Sequence, residues 1–279
     1  MTSSLNESIQ PKVRTIDGLS IRYAESKERD DHAILISPWP ESVFAFDQMW
    51  SRLAENAHLV AIDLPGFGQS ERRNELMSPR AMGEFLIRAA DAFGLENPHV
   101  VGPDVGTGTA LFAAALHPGR LRSLVIGSGG AAFPLRLEGV LKDWAEDPDY
   151  EKYRDADPRQ IVKIALSTIE GYKLPEAVAA DYVSSYEGDR FFESMRYVRA
   201  YPTDLLALRD LLPDIQTPVQ HIAGRRDRVV PVVNSEYLHE RLPHSKLDVI
   251  DAGHFTWEEA PDEYAALVTS WWNGGYAAV

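Results

Sequence analysis

Three ionisable side chains, each placed just after an apolar run, raise the first chemical question. Asp104 sits in Gly102-Pro103-Asp104-Val105-Gly106, within the longer stretch "HVVGPDVGTGTALFAAALHP". Asp227 follows "PVQHIAG" in "AGRRDRVVP", and His254 follows "KLDVI" in "DAGHFTWEEAP". A carboxylate is ionised at neutral pH, with a reference pKa of about 3.9, so Asp104 can attack without a base to remove a proton. Attack on an ester carbonyl would give an anhydride, a high-energy product. Attack on a saturated carbon gives an ordinary ester on Asp104 and expels oxygen or halide, which is covalent catalysis by a carboxylate. His254 would then activate a water against that ester, with Asp227 holding the imidazole's tautomer and stabilising its charged form. Taken singly, Asp104 also suits a helix N-cap, and a lone Asp or His after a strand suits a cap or surface group. Their chain order and shared position after strands favour the chemistry.

The surrounding chain predicts how such groups meet. "KVRTIDGLSIRYAES" reads as a hairpin turning at Asp17-Gly18,. A buried strand at Ala33 to Ile36, the loop "SPWPES" and a helix from about Ser42 to Ala54 follow. Strand "HLVAIDLPG" leads to a helix at about Ser78 to Phe93, then to a strand at His99 to Gly102, the helix after Asp104 and strand "RSLVIGS". The alternation resumes with "PVQHIAG", a helix near Val233 to Arg241, "KLDVIDAG" and a last helix from about Pro261 to Trp272. Alternating strands and helices imply an α/β protein with a mostly parallel sheet covered on both faces. Ligands in such sheets bind outside the carboxyl ends of the strands, where the three loops emerge. Residues 134–210 fall outside the alternation and read as a helical cap, leaving 1–133 and 211–279 as the core.

Composition narrows the partners. The 279 residues are 44% hydrophobic and 25% charged, enough apolar mass for a large core,. A formal charge of -14 argues against nucleic acid or an anionic membrane as partner,. There is no cysteine, which removes disulfides, thiolate nucleophiles and cysteine metal sites,. The N-terminal stretch "MTSSLNESIQPKVRTIDG" lacks the apolar core of a signal peptide, and no window has the length of a membrane span,. A cytoplasmic enzyme acting on a small apolar molecule is the default expectation, with a homodimer left open. No cofactor or metal is expected, since the histidines are not clustered and no Gly-x-Gly-x-x-Gly follows the first strand.

Over nearly its whole length the sequence resembles the α/β-hydrolase superfamily, whose nucleophile, acid and histidine follow one another in this order. Within it, the chain is most similar to epoxide hydrolases. Their strand-end loop usually reads His-Gly-x-Pro, often "HGFPES", where this chain has "SPWPES"; their elbow reads Gly-His-Asp-Trp-Gly, where this chain has Gly-Pro-Asp-Val-Gly. "AIDLPGFGQSER" and "GHFTWEEAP" are in the same style, although shared with many esterases. The resemblance implies an aspartyl nucleophile at Asp104, with Asp227 and His254 completing the triad. It implies oxyanion donors at the backbone of Trp39 and Val105, and a cis bond before Pro40. It also implies two cap tyrosines as acids for the leaving alkoxide. Of the seven tyrosines in the cap segment, Tyr153 and Tyr197 lie about where the family keeps them. Ser37-Pro38 departs from the family's His-Gly. Val105 replaces a tryptophan that haloalkane dehalogenases use for halide, and no arginine of the fluoroacetate-type enzymes stands there, which counts against both dehalogenase classes. The leading expectation is an epoxide hydrolase that gives a diol. The alternatives are an esterase, lactonase, lyase or cyclase using Asp104 as general base, and a ligand-binding protein without catalysis.

Overall fold

Two antiparallel strands open the structure, β1 (Lys12–Ile16) and β2 (Leu19–Glu25). They turn through Asp17 and Gly18 with φ of 53° and 76°, the double positive-φ turn whose twist matches a hairpin,. The computed structural model describes residues 8–279. Residues 1–7, the start of the N-terminal stretch inspected for a signal peptide, lie outside the described residues. Six further strands follow, β3 (His32–Ile36), β4 (His58–Ile62), β5 (His99–Pro103), β6 (Ser123–Gly127), β7 (Val219–Gly224) and β8 (Ser245–Ile250). The sheet runs β1-β2-β4-β3-β5-β6-β7-β8. β2 pairs antiparallel with β4, and β4 onward is parallel.

The parallel strands are apolar at successive positions because helices cover both faces. Ile34, Val60 and Val100 point into one hydrophobic layer, and their neighbours Leu35, Ala61 and Val101 point into the other. Between β3 and β4 lies α1 (Trp50–Ala54), between β4 and β5 lies α2 (Pro79–Ala92), and between β5 and β6 lies α3 (Val105–Leu116). Ser78 caps α2 by accepting a hydrogen bond from the Ala81 N–H at 3.2 Å, and Pro79 occupies the first turn,. From β6 the chain leaves the sheet for α4 (Gly139–Glu146), α5 (Pro158–Leu166), α6 (Glu176–Ser185), α7 (Arg190–Arg199) and α8 (Tyr201–Leu211) before returning in β7. The remaining helices are α9 (Val233–His239), α10 (Thr256–Glu259) and α11 (Pro261–Trp272). No helix among the described residues is long and apolar enough to cross a membrane.

The single helix expected from Ser42 to Ala54 is two short pieces, a 3-10 turn at Val43–Phe46 and then α1. Its start is fastened by long-range hydrogen bonds. The Val43 N–H donates to Asp63 Oδ1 at 2.8 Å, and the Ser42 hydroxyl donates to Asp181 of α6 at 2.6 Å. These tertiary bonds override a continuous helix.

Helices α2 and α3 approach closely where α2 carries Gly83. A Cβ there would lie 2.8 Å from the Ala113 backbone nitrogen and 2.8 Å from Phe112 Cβ. Interiors packed this tightly do not absorb extra methyl groups without shifting backbone. Gly83→Val is therefore expected to lower unfolding stability by roughly 1–3 kcal/mol, seen as a reduced urea midpoint with an unchanged m-value.

Candidate active site

The turn from β5 into α3 forces Asp104 into φ 52°, ψ -119°, a conformation few non-glycine residues adopt,. Such strain persists only when neighbours over-determine it. Here the Asp104 N–H donates to the Gly127 carbonyl at 2.9 Å, and the Thr107 N–H donates to the Asp104 carbonyl at 3.0 Å. Gly102 is required by space, since a Cβ at this position would meet the Gly106 carbonyl oxygen at 2.8 Å. The result presents a buried carboxylate at the N-terminus of α3, where the helix dipole favours negative charge,.

The two oxygens of Asp104 have different surroundings. Oδ2 accepts a hydrogen bond from the Trp39 backbone N–H at 2.7 Å, and the Val105 N–H favours the ionised carboxylate. Oδ1 faces His254 Nε2 at 3.8 Å. The other ring nitrogen, Nδ1, lies 2.9 Å from Asp227 Oδ2, so Asp227 holds the tautomer that directs Nε2 towards Asp104,. Asp227 is itself fixed, because its Oδ1 accepts from the N–H groups of Val229 and Val230, both at 2.8 Å. The Trp39-Pro40 bond is cis. The next residue, Glu41, braces this loop with Oε2 accepting from Trp257 Nε1 at 2.7 Å, and Trp257 packs edge-on against His254.

Burial pushes the Asp104 carboxyl above its ordinary pKa, partly offset by His254 and by the Trp39 and Val105 N–H groups. For His254, burial opposes the charged form, but the charge and hydrogen bond of Asp227 and the charge of Asp104 outweigh it and raise its pKa. An imidazolium facing a carboxylate is thereby stabilised.

Above Asp104 lies a cavity of about 310 Å³. Trp39, Trp144 and Phe191 wall it with mutually contacting rings, Trp39 stacked on Phe191 at 5.0 Å between centroids. Asp104 and His254 are the charged groups in its lining. The structure thus brings together Asp104, Asp227, His254 and the backbone of Trp39 and Val105.

Tyr153 and Tyr197, expected as acids, do not line this cavity. The Tyr197 hydroxyl, on α7, donates to the Val105 carbonyl at 2.5 Å and bonds Thr109 at 2.9 Å, so it braces the first turn of α3. The Tyr153 hydroxyl donates to Asp147 at 3.4 Å, under the Lys152 ammonium. Among the described residues no tyrosine lines the cavity. Sequence reasoning missed Trp144, Phe191 and the α5 side chains Ile161, Ile164 and Ala165. The α5 residues had a readable signal, the i, i+3, i+4 spacing of one apolar helix face,. Among the described residues no cluster of three or more His, Asp or Glu is placed to hold a metal ion.

Comparison with known proteins agrees with this architecture. Residues 34–261 match the family model described as alpha/beta hydrolase fold. The chain is similar to 2-hydroxymuconate semialdehyde hydrolase of Pseudomonas sp. (strain CF600), 30% identical over 224 residues, 77% of this chain and 76% of the relative. It is also similar to 3-oxoadipate enol-lactonase 1 of Acinetobacter baylyi (strain ATCC 33305 / BD413 / ADP1), 24% identical over 230 residues, 78% of this chain and 81% of the relative. Among solved structures, the epoxide hydrolase CorEH without ligand shares the fold, with a TM-score of 0.80, 18% identity and coverage of 95% of this chain and 98% of that one. With the sheet order, the strained turn at Asp104 and this match over most of its length, the chain belongs to the α/β-hydrolase fold family and is a hydrolase of that family.

Proposed function

We propose that the protein hydrolyses a small, neutral, apolar substrate at a saturated carbon through an ester on Asp104, and that an epoxide opening to a diol is the reaction. One observation supports this above all: Asp104 Oδ2 already occupies the Trp39 N–H at 2.7 Å. In carbonyl chemistry those backbone donors must be open to the substrate's oxygen. Here they hold the nucleophile's own carboxylate, where the oxyanion of an aspartyl ester under attack would form. The relatives named for semialdehyde and enol-lactone hydrolysis keep carbonyl chemistry as the second reading, with Asp104 as general base.

With no tyrosine in the cavity lining, the proton for ring opening comes from His254, whose Nε2 faces Asp104 Oδ1. In the first step Oδ1 bonds to the epoxide carbon, the carbon–oxygen bond of the ring breaks, and the alkoxide takes the Nε2 proton. His254 is then neutral and serves as base. It takes a proton from water as the water oxygen bonds to the Asp104 carboxyl carbon, and the Trp39 and Val105 N–H groups hold the resulting oxyanion. Collapse frees the diol alkoxide, which receives the remaining hydroxyl proton, and leaves Asp104 ionised and His254 charged. One donor of the oxyanion type contributes roughly 3–4 kcal/mol to such a step.

Two experiments test this. A single turnover of styrene oxide in ¹⁸O-water is expected to place the label in the Asp104 carboxyl and leave the diol's new oxygen unlabelled. Label in the first-turnover diol would mean direct attack by water and would sink the ester intermediate. Rapid-quench rates of the two steps should also depend on pH in opposite directions. Ring opening needs charged His254 and should fall as pH rises through its raised pKa, above 6.5; ester hydrolysis needs neutral His254 and should rise with pH, at a lower midpoint because esterified Asp104 no longer contributes its charge. Ring opening should also fail on the acid side, as pH drops through the Asp104 pKa, which lies above 3.8. Ring opening that holds to about pH 10 would point to a tyrosine acid instead.

A further inference from the structure

Helix α5 carries an apolar stripe that the protein's own side chains cover only in part: Ile161 and Ala165 are half-buried and Ile164 is exposed. Ile161, Ile164 and Ala165 follow the i, i+3, i+4 spacing of a single helix face, and Thr168 stands just past the helix's end,. All four line the cavity over Asp104. An amphipathic helix ordinarily packs such a stripe into the core, yet the one buried residue of α5 is Val162, and Ile164 remains 65% exposed,. Nearby in the same lining, α4 contributes Val140, which is 61% exposed. A side chain that both lines a cavity and meets solvent stands at its mouth. Five large apolar side chains are exposed among the described residues, and two of them stand at this one opening. Singly, exposed aliphatics need no explanation; two at the entrance of an apolar cavity do.

The occupant must fit the space. Whatever reaches Ile161 and Ala165 enters a cavity of about 310 Å³ that ends at Asp104. That volume admits a small molecule and excludes a helix of a partner. The lining offers no lysine or arginine to balance an anionic tail. We propose that the stripe is the binding surface for the apolar tail of a neutral substrate, with Val140 and Ile164 setting the length of tail that is held. This rests on Asp104 as the reacting group of the cavity.

Straight-chain primary alcohols from butanol to decanol, which the site does not consume, test the inference without depending on the reaction. Their binding to the full chain is followed by tryptophan fluorescence, since Trp39 and Trp144 line the cavity. Affinity is expected to rise about fourfold per added methylene, the equivalent of about 0.8 kcal/mol. In Ile164→Asp the rise should stop several carbons earlier, so that the longest alcohols lose tenfold or more and the shortest less than twofold. A matching urea midpoint for the two proteins shows that the variant is folded. Equal slopes to equal length in both proteins, or no binding of any alcohol, would overturn the inference. So would a dimer that becomes a monomer in Ile164→Asp with alcohol affinity unchanged, which would make the stripe a contact between copies. If the alcohols behave as expected while ¹⁸O fails to enter Asp104, the ester mechanism falls alone. If the label enters Asp104 and chain length has no effect, the tail site falls alone.

Discussion

The Trp39 N–H donates to Asp104 across the carboxyl edge of the sheet, tying the loop after β3 to the turn after β5. A buried carboxylate is costly unless it is hydrogen-bonded, and the site depends on satisfying this one. The Trp39 N–H and the start of α3 meet that demand on one side, and His254 meets it on the other,. Each of these partners needs its own support. The loop that carries Trp39 is braced through Glu41 and Trp257, and Trp257 in turn packs against His254. His254 is oriented by Asp227, which two further backbone N–H groups hold in place. One carboxylate therefore organises four separate loops.

The segment over the site is fastened unevenly. Helices α6 and α7 are docked to the core by buried polar contacts. Arg22 on β2 donates to both oxygens of Asp181, at 3.1 and 2.7 Å. The Tyr186 hydroxyl donates to the Glu41 carbonyl at 3.0 Å, and Arg190 donates to the Gly68 and Ser70 carbonyls at 2.6 and 2.9 Å. The one charge pair among these, Arg22 with Asp181, offsets the desolvation of its own charges and adds little net stability,. Helix α5 has one buried side chain and turns its apolar face to the cavity. The polar contacts set where the cavity is, and the apolar face of α5 shapes what it admits.

The cap tyrosines show why a family pattern does not transfer unaided. Tyr197 does reach the elbow, but its hydroxyl meets the Val105 carbonyl and Thr109, on the helix side of the turn. Tyr153 is drawn to Asp147 within its own segment. A tyrosine's position along the chain says little about which way its ring points, because a small rotation of the carrying helix turns it from cavity to core. His254 is the titratable group that shares the lining with Asp104.

What the sequence determined by itself is the sheet and the three loops at its edge. Those signals are local. β-branched runs mark buried strands, glycines at 102 and 106 mark a turn with no room for Cβ, and Asp227 and His254 each follow a strand directly. Alternation then places all three on the same edge, since parallel strands end together. Tertiary structure alone decided which oxygen of Asp104 the Trp39 N–H holds, how the expected helix from Ser42 divides, and which cap side chains face the cavity. Each of these depends on contacts between residues far apart in the chain, such as Trp39 with Asp104 or Ser42 with Asp181. Local propensity carries no information about such pairs, whose geometry is set only when the helices dock and the buried polar groups must all find partners.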